Sequence, residues 1–205
     1  VRWLPAGPHG LLLELGSTAE VTAAYAGLDP VCRELAGDVV PAARTIFFDD
    51  VTDLDRLREL VGGGLDRVGG PAATGDSDAG EVEVPVRYDG EDLDDVARLW
   101  EMSRDEVVAT HTGTAFVVAF CGFAPGFAYC TGLPERLHVA RRPSPRTRVP
   151  AGSVGLAGEF TGVYPTASPG GWQLIGVTDL TLFDVTAEPP ALLAPGTRVR
   201  FTEVR

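Results

Sequence analysis

From Ala115 to the C-terminus the chain reads as a series of short β-type runs, "AFVVAF", "RLHVA", "SVGLA", "WQLIGV", "TLFDV" and "RVRFTEV", parted by Pro and Gly turns. Strands this short can bury an apolar face only against one another, so the region predicts a barrel or a sandwich. Another strand precedes it, because Val82, Val84, Val86 and Tyr88 alternate with Glu81, Glu83, Pro85 and Arg87, a period of two with one apolar face. Between them, Leu93, Val96, Ala97 and Trp100 share one side of a predicted helix, and Ser103 with Glu106 has capping-box spacing for a second. His111 falls at the end of that second helix, with Gly113 as its stop.

The segment from Gly70 to Gly80, "GPAATGDSDAG", holds no large apolar residue and is rich in turn formers, which marks a linker or a long exposed loop. Two domains are expected, residues 1–72 and 73–205. In the first, Leu11 to Leu15 and Thr45 to Phe48 read as strands. Ser17 and Glu20 have capping-box spacing for an Ala-rich helix, and Asp29 with Pro30 looks like a fresh N-cap and first helical position, carrying the helical signal to Ala36. From Asp53, Leu54, Leu57, Leu60 and Val61 keep helical spacing until Gly62, Gly63 and Gly64 weaken it. A small α/β layer followed by a β-rich region makes the expected class α+β.

Composition removes several kinds of function. Seventeen basic residues against 29 acidic ones leave a formal charge of -12, so a nucleic-acid backbone finds no electrostatic footing. None of the 17 is lysine, which excludes a Schiff base, a biotinyl-lysine carrier and a P-loop lysine. Cys32, Cys121 and Cys130 are odd in number and lack CxxC spacing, which speaks against a disulfide framework and against a metal site. The apolar run Leu11 to Leu15 is too short for a signal peptide or a spanning helix, so a cytoplasmic chain with no membrane partner is expected.

Three turn clusters remain: "GFAPGFAYCTGLP" from Gly122, "RRPSPRTRVPAGSVG" from Arg141 and "YPTASPGGWQLIG" from Tyr164. Glycine permits close backbone approach and proline fixes φ, so these loops have set shapes. Arg141, Arg142, Arg146 and Arg148 place four guanidinium forks within eight residues, either a solvated basic strip or a site for developing negative charge. His111 is a helix-end cap or a base, and Asp92 and Asp94 are helix-start carboxylates or, in a minor reading, a base. Gln173, the sole glutamine, could orient an amide or carboxylate. Trp172, Phe123, Phe127 and Tyr164 read as core or wall, and nothing in the sequence pairs Cys121 or Cys130 with a base.

"DGEDLDDVA" (Asp89 to Ala97), His111, "GFAPGFAY" (Gly122 to Tyr129), "PRTRVPAGSV" (Pro145 to Val154), "YPTASPGGW" (Tyr164 to Trp172) and "PGTRVRF" (Pro195 to Phe201) together carry a resemblance. In order and spacing they closely resemble the B subunit of prokaryotic 5-oxoprolinase, a family also called allophanate hydrolase subunit 1 and including KipI-type kinase inhibitors. The resemblance implies an N-terminal ferredoxin-like α/β domain and a C-terminal cyclophilin-like β-barrel. It implies partners, a C subunit (KipA-like) and an A subunit, which together convert 5-oxoproline to glutamate with ATP. Related paired domains form the carboxyltransferase half of biotin-dependent urea carboxylase. The alternative within the same resemblance is a KipI-like protein that binds a sensor histidine kinase and blocks its autophosphorylation.

On this pattern His111 and Arg146 are the candidate catalytic residues. Arg141, Arg148, Phe123, Gly126, Tyr164 and Gln173 are the candidate substrate-binding residues. The sequence departs from the family where "IGRTPL" is expected and "IGVTDL" stands, with Val177 for arginine and Asp179 for proline. Phe160 stands where a glutamine is usual before "TGVYP". If those side chains line the shared site, the departures redirect its substrate or abolish its activity.

Overall fold

The computed structural model describes residues 1–32, 34–68 and 80–204. All of the predicted linker but Gly80 lies outside the described residues. The chain divides into two compact units, Val1–Asp78 and Ala79–Arg205.

The first unit runs β1 (Arg2–Pro5), β2 (Leu11–Glu14), α1 (Thr18–Cys32), β3 (Asp38–Pro41), β4 (Thr45–Asp49) and α2 (Leu54–Val68). Its strands form one antiparallel sheet in the order β1-β2-β4-β3. Alternate residues Leu11 and Leu13 of β2, and Ile46 and Phe48 of β4, join Val21, Leu28, Leu57 and Val61 from the two helices in a single apolar core. The expected restart of α1 at Asp29 does not occur, and the helix runs unbroken to Cys32. Burial of Val21, Ala24 and Leu28 carries it, and the N–H missing at Pro30 removes only one bond near the helix's end. The backbone of α2 likewise stays helical through the three glycines to Val68.

The second unit contains β5 (Glu81–Val86), α3 (Leu93–Trp100), α4 (Arg104–Gly113), β6 (Phe116–Cys121), β7 (Ala128–Thr131) and β8 (Arg146–Val149). It continues with β9 (Ser153–Ala157), β10 (Phe160–Val163), β11 (Ser168–Gly170), β12 (Gln173–Val177) and β13 (Arg198–Glu203). Seven strands pair in the order β12-β9-β10-β7-β6-β13-β5, and Arg87 and Val177 exchange backbone hydrogen bonds of 2.8 and 2.9 Å that join the two ends. The result is a nearly closed barrel, so the fold is α+β. Gly90 lies flush along this seam: a Cβ there would stand 2.4 Å from the Leu174 carbonyl oxygen, so only glycine lets the chain leave β5 against β12.

Val84, Val118, Leu156, Ile175 and Phe201 belong to the same buried cluster as Leu93, Val96, Trp100 and Val107 of α3 and α4. The predicted capping box of α4 is present, with Ser103 accepting from the Glu106 N–H and Glu106 accepting from the Ser103 N–H. Two expected strands are not strands. "RLHVA" begins as a 3-10 turn at Glu135–Leu137, set up by Pro134, and "TLFDV" makes only an isolated bridge between Phe183 and Ala191. A separate two-stranded ribbon, β8 with β11, carries parts of the arginine and Pro-Gly loops.

Candidate functional site

The barrel has a second apolar cluster, apart from the first. Phe127, Val149, Ala157, Tyr164, Trp172 and Leu174 form it, with Tyr129 and Phe160 packed half-buried against it. Strand alternation explains the split: on β7, Ala128 and Cys130 join the first cluster while Tyr129 joins the second. The rings meet mostly edge to face, Phe127 lying 5.1 Å from Tyr164 and 5.3 Å from Trp172, which is the favoured arrangement for aromatic quadrupoles.

At the edge of this floor the loop between β6 and β7 presents Phe123, which is 63% exposed and has φ of +71°. A bulky side chain in the left-handed region is a strained conformation that its surroundings must enforce. A three-residue turn enforces it, the Ala124 N–H donating to the Gly122 carbonyl at 2.9 Å across Phe123. The φ of Gly126 is +80°, and a Cβ there would stand 2.6 Å from Phe183 Cβ, so the loop can sit this close to the 182–183 segment only with glycine at that position.

The four arginines of the second loop divide into two kinds. Asp92, at the N-terminus of α3, has a side chain only 2% exposed. Its carboxylate accepts from Arg142 Nη1 at 2.5 Å, from Arg146 Nη2 at 2.8 Å on both oxygens, and from the Leu174 N–H at 2.7 Å. Arg146 also donates to Glu91 and to the Trp172 carbonyl, so its fork is committed on every nitrogen. Arg141 and Arg148 are exposed, and among the described residues no carboxylate pairs with either. Burial raises the hydroxyl pKa of Tyr129 and of Tyr164, and the Arg141 charge opposes that rise at both. Gln173 donates to the Ala140 carbonyl at 3.2 Å, and the Arg142 N–H to the Gly171 carbonyl at 2.7 Å. The arginine loop is thereby tied to the Gly-Gly-Trp turn.

His111 stands elsewhere. It is wholly buried among Tyr88, Phe116 and Phe201, and none of the other candidate residues touches it. Thr161 donates to the Gly155 carbonyl, His111 Nε2 lies 3.0 Å from the Thr161 hydroxyl, and the Tyr88 hydroxyl lies 2.8 Å from Nδ1. That order suits an Nε2–H donating to Thr161 and an Nδ1 accepting from Tyr88. Burial pushes the imidazole pKa down to about 3. The unfolded chain therefore takes up a proton below about pH 6.5 that the folded chain refuses, so stability falls as pH drops from that value toward 3. Urea unfolding at pH 7 and pH 5 should show this contribution falling by about 2 kcal/mol. A His111→Gln chain, keeping one donor and one acceptor, should lack that part of the pH dependence, and equal slopes for the two chains would refute the assignment.

Burial raises the Cys121 thiol to about 11 and the Cys130 thiol to about 12, so neither is a thiolate near neutral pH. Among the described residues no group of three or more His, Cys, Asp or Glu is placed to hold a metal, and no helix is long and apolar enough to cross a membrane.

The model of the carboxyltransferase domain, subdomains C and D, matches residues 1–193. The chain belongs to this carboxyltransferase-domain family. The B subunit of 5-oxoprolinase from Escherichia coli O157:H7 is 54% identical over 123 residues, 58% of this chain and 56% of that one. The B subunit of 5-oxoprolinase from Haemophilus influenzae is 42% identical over 160 residues, covering 77% of this chain and 73% of that one. These relatives agree with the resemblance carried by the motifs, although the chain spans little more than half the length of the E. coli protein. The K. lactis urea amidolyase superposes with a TM-score of 0.71 over 98% of this chain and 15% of that one, and at 18% identity it speaks for the fold alone.

The departures from the family pattern fall in two places. Val177 and Asp179 line a groove of about 240 Å³ at the barrel seam with Pro85, Arg87 and Val204, and no candidate site residue shares it. Phe160 lies on the aromatic face itself, its ring 5.5 Å from both Phe120 and Tyr129. Sequence reasoning missed Asp92 as the hub of the arginine loop. Its partners lie 50 and 54 residues away, and the one available signal was a four-arginine loop in need of a buried counter-charge.

Proposed function

We propose that the chain is a site-contributing subunit of an ATP-dependent complex that opens 5-oxoproline to glutamate. It is inactive alone and is completed by a C-type (KipA-like) partner and an A-type subunit. The observation that carries this reading is the arginine loop anchored on Asp92, which leaves Arg141 and Arg148 exposed with no carboxylate partner among the described residues, in a chain whose relatives are named as B subunits of 5-oxoprolinase. Opening a lactam develops negative charge on oxygen, and a fixed cation beside an apolar wall stabilises that charge more than water does.

In this reading Arg141 and Arg148 face the anionic substrate, Phe123 and Tyr129 form its wall, and Gly126 and Gln173 fix the loops. Tyr164 belongs to the floor. Arg146 and His111 move from chemistry to support, since one is bound to Asp92 and the other reaches no solvent. ATP handling uses parts other than a lysine clamp, because the chain has none. We read the two units as ferredoxin-like and cyclophilin-like. The order β1-β2-β4-β3, with β1 in the place of a last strand, supports the first, and the helix-packed barrel supports the second.

The test mixes the purified chain with C-type and A-type subunits and follows ATP-dependent glutamate release. The chain alone should give none, and the complete mixture should turn over. Turnover by the single chain would overturn the division of labour. An inert mixture with demonstrated complex formation would overturn the reading and shift weight to a sensor-kinase inhibitor, checked by autophosphorylation assays.

A further inference from the structure

Two arginines of the loop are tied and two are free, and one buried carboxylate accounts for the difference. Asp92 is reached from three separate segments: the loop before β8 sends Arg142, the first residue of β8 sends Arg146, and β12 sends the Leu174 N–H. Asp92 occupies the N-cap position of α3, yet its side chain makes no capping bond to that helix. Its acceptor capacity goes to the arginine loop instead. A carboxylate this buried is costly to desolvate unless paired, and here two guanidiniums and a backbone donor satisfy it.

Arg142 is held at both ends, its side chain by Asp92 and its N–H by the Gly171 carbonyl at 2.7 Å. The neighbouring Arg141, exposed and with no carboxylate partner among the described residues, is carried on a backbone fixed at Arg142. Glu91 shares Arg146, but its side chain is 72% exposed, so Asp92 supplies the screened part of the attraction.

We propose that Asp92 is the positioning residue of this loop: by binding Arg142 and Arg146 it leaves Arg141 and Arg148 as the free pair and fixes the backbone that carries Arg141. It touches no substrate itself. The structural part stands on geometry alone, and the kinetic part rests on the proposed function.

The test treats the full chain with an arginine-selective dicarbonyl and follows each site by peptide mass spectrometry. In the wild-type chain Arg142 and Arg146 should react at least tenfold more slowly than Arg141 and Arg148. In Asp92→Asn, Arg142 and Arg146 should each react at least threefold faster than in the wild type. Equal rates in the wild type, or an unchanged pattern in Asp92→Asn, would overturn the proposal. If Asp92→Asn does not fold, Arg142→Met decides. Arg142 is 35% exposed, and its loss leaves Asp92 paired with Arg146, which should stay slow. An Arg146 as reactive as Arg141 in that variant would show that Asp92 does not hold it. In the reconstituted complex Arg142→Met should lower kcat about tenfold with KM within threefold, and an unchanged kcat would reduce Asp92 to scaffold. An inert wild-type complex would count against the proposed function and leave the labelling result to decide this one.

Discussion

Replacing Arg141 with alanine should lower ATP-dependent glutamate release by the reconstituted complex about 100-fold or more, because removing a donor aimed at developing negative charge costs roughly 10²–10³ in rate. The melting temperature should stay within a few degrees. Arg141 is exposed and has no carboxylate partner among the described residues, so its removal unpairs nothing. Arg146→Ala should behave in the opposite sense. It strips Asp92 of the donor that spans both its oxygens and leaves a buried carboxylate with Arg142 and the Leu174 N–H alone, so stability should fall by about 1.5–3 kcal/mol, the usual worth of a hydrogen bond to a charged group. The two arginines are five residues apart in one loop, so the comparison separates a chemical role from a structural one. Full activity in Arg141→Ala would place the site elsewhere on the barrel.

Short-range signals carried most of the fold that could be read in the sequence. The alternation over Glu81–Val86, the apolar side of α3 and the Ser103–Glu106 box each depend on residues within one or two turns, and each appears in the structure. β10, "FTGV", and β11, "SPG", were out of reach, because their pairing partners rather than their own residues make them strands. The same limit governed the site. Loop shape and the supply of arginines and aromatics could be read from turn residues alone. Which arginines are free could not, since that depends on a carboxylate some 50 residues upstream. His111 shows the converse: its place at a helix end was legible, whereas the burial that keeps it neutral comes from Phe116 on β6 and Phe201 on β13.

Trp172→Ala should cost about 3–5 kcal/mol of stability, the usual range for emptying a buried large aromatic site. Trp172 is 3% exposed, lies within 5.5 Å of the Phe127 and Tyr129 rings, and offers its carbonyl to Arg146. The cavity would open beneath the loop that carries Arg141, so lost stability and lost activity should appear together. Phe123→Ala is the informative contrast. A side chain 63% exposed contributes little to the core, so stability should change by about 0.5 kcal/mol or less. If Phe123 is a wall for the bound substrate, KM should rise in that variant while the unfolding midpoint stays put. Guanidinium unfolding followed by far-ultraviolet circular dichroism, with the glutamate assay on the same samples, distinguishes the two. A stable Trp172→Ala chain would mean that the second aromatic cluster adds little to the fold, and the loops above it would then owe their shape to Asp92 and the glycines alone.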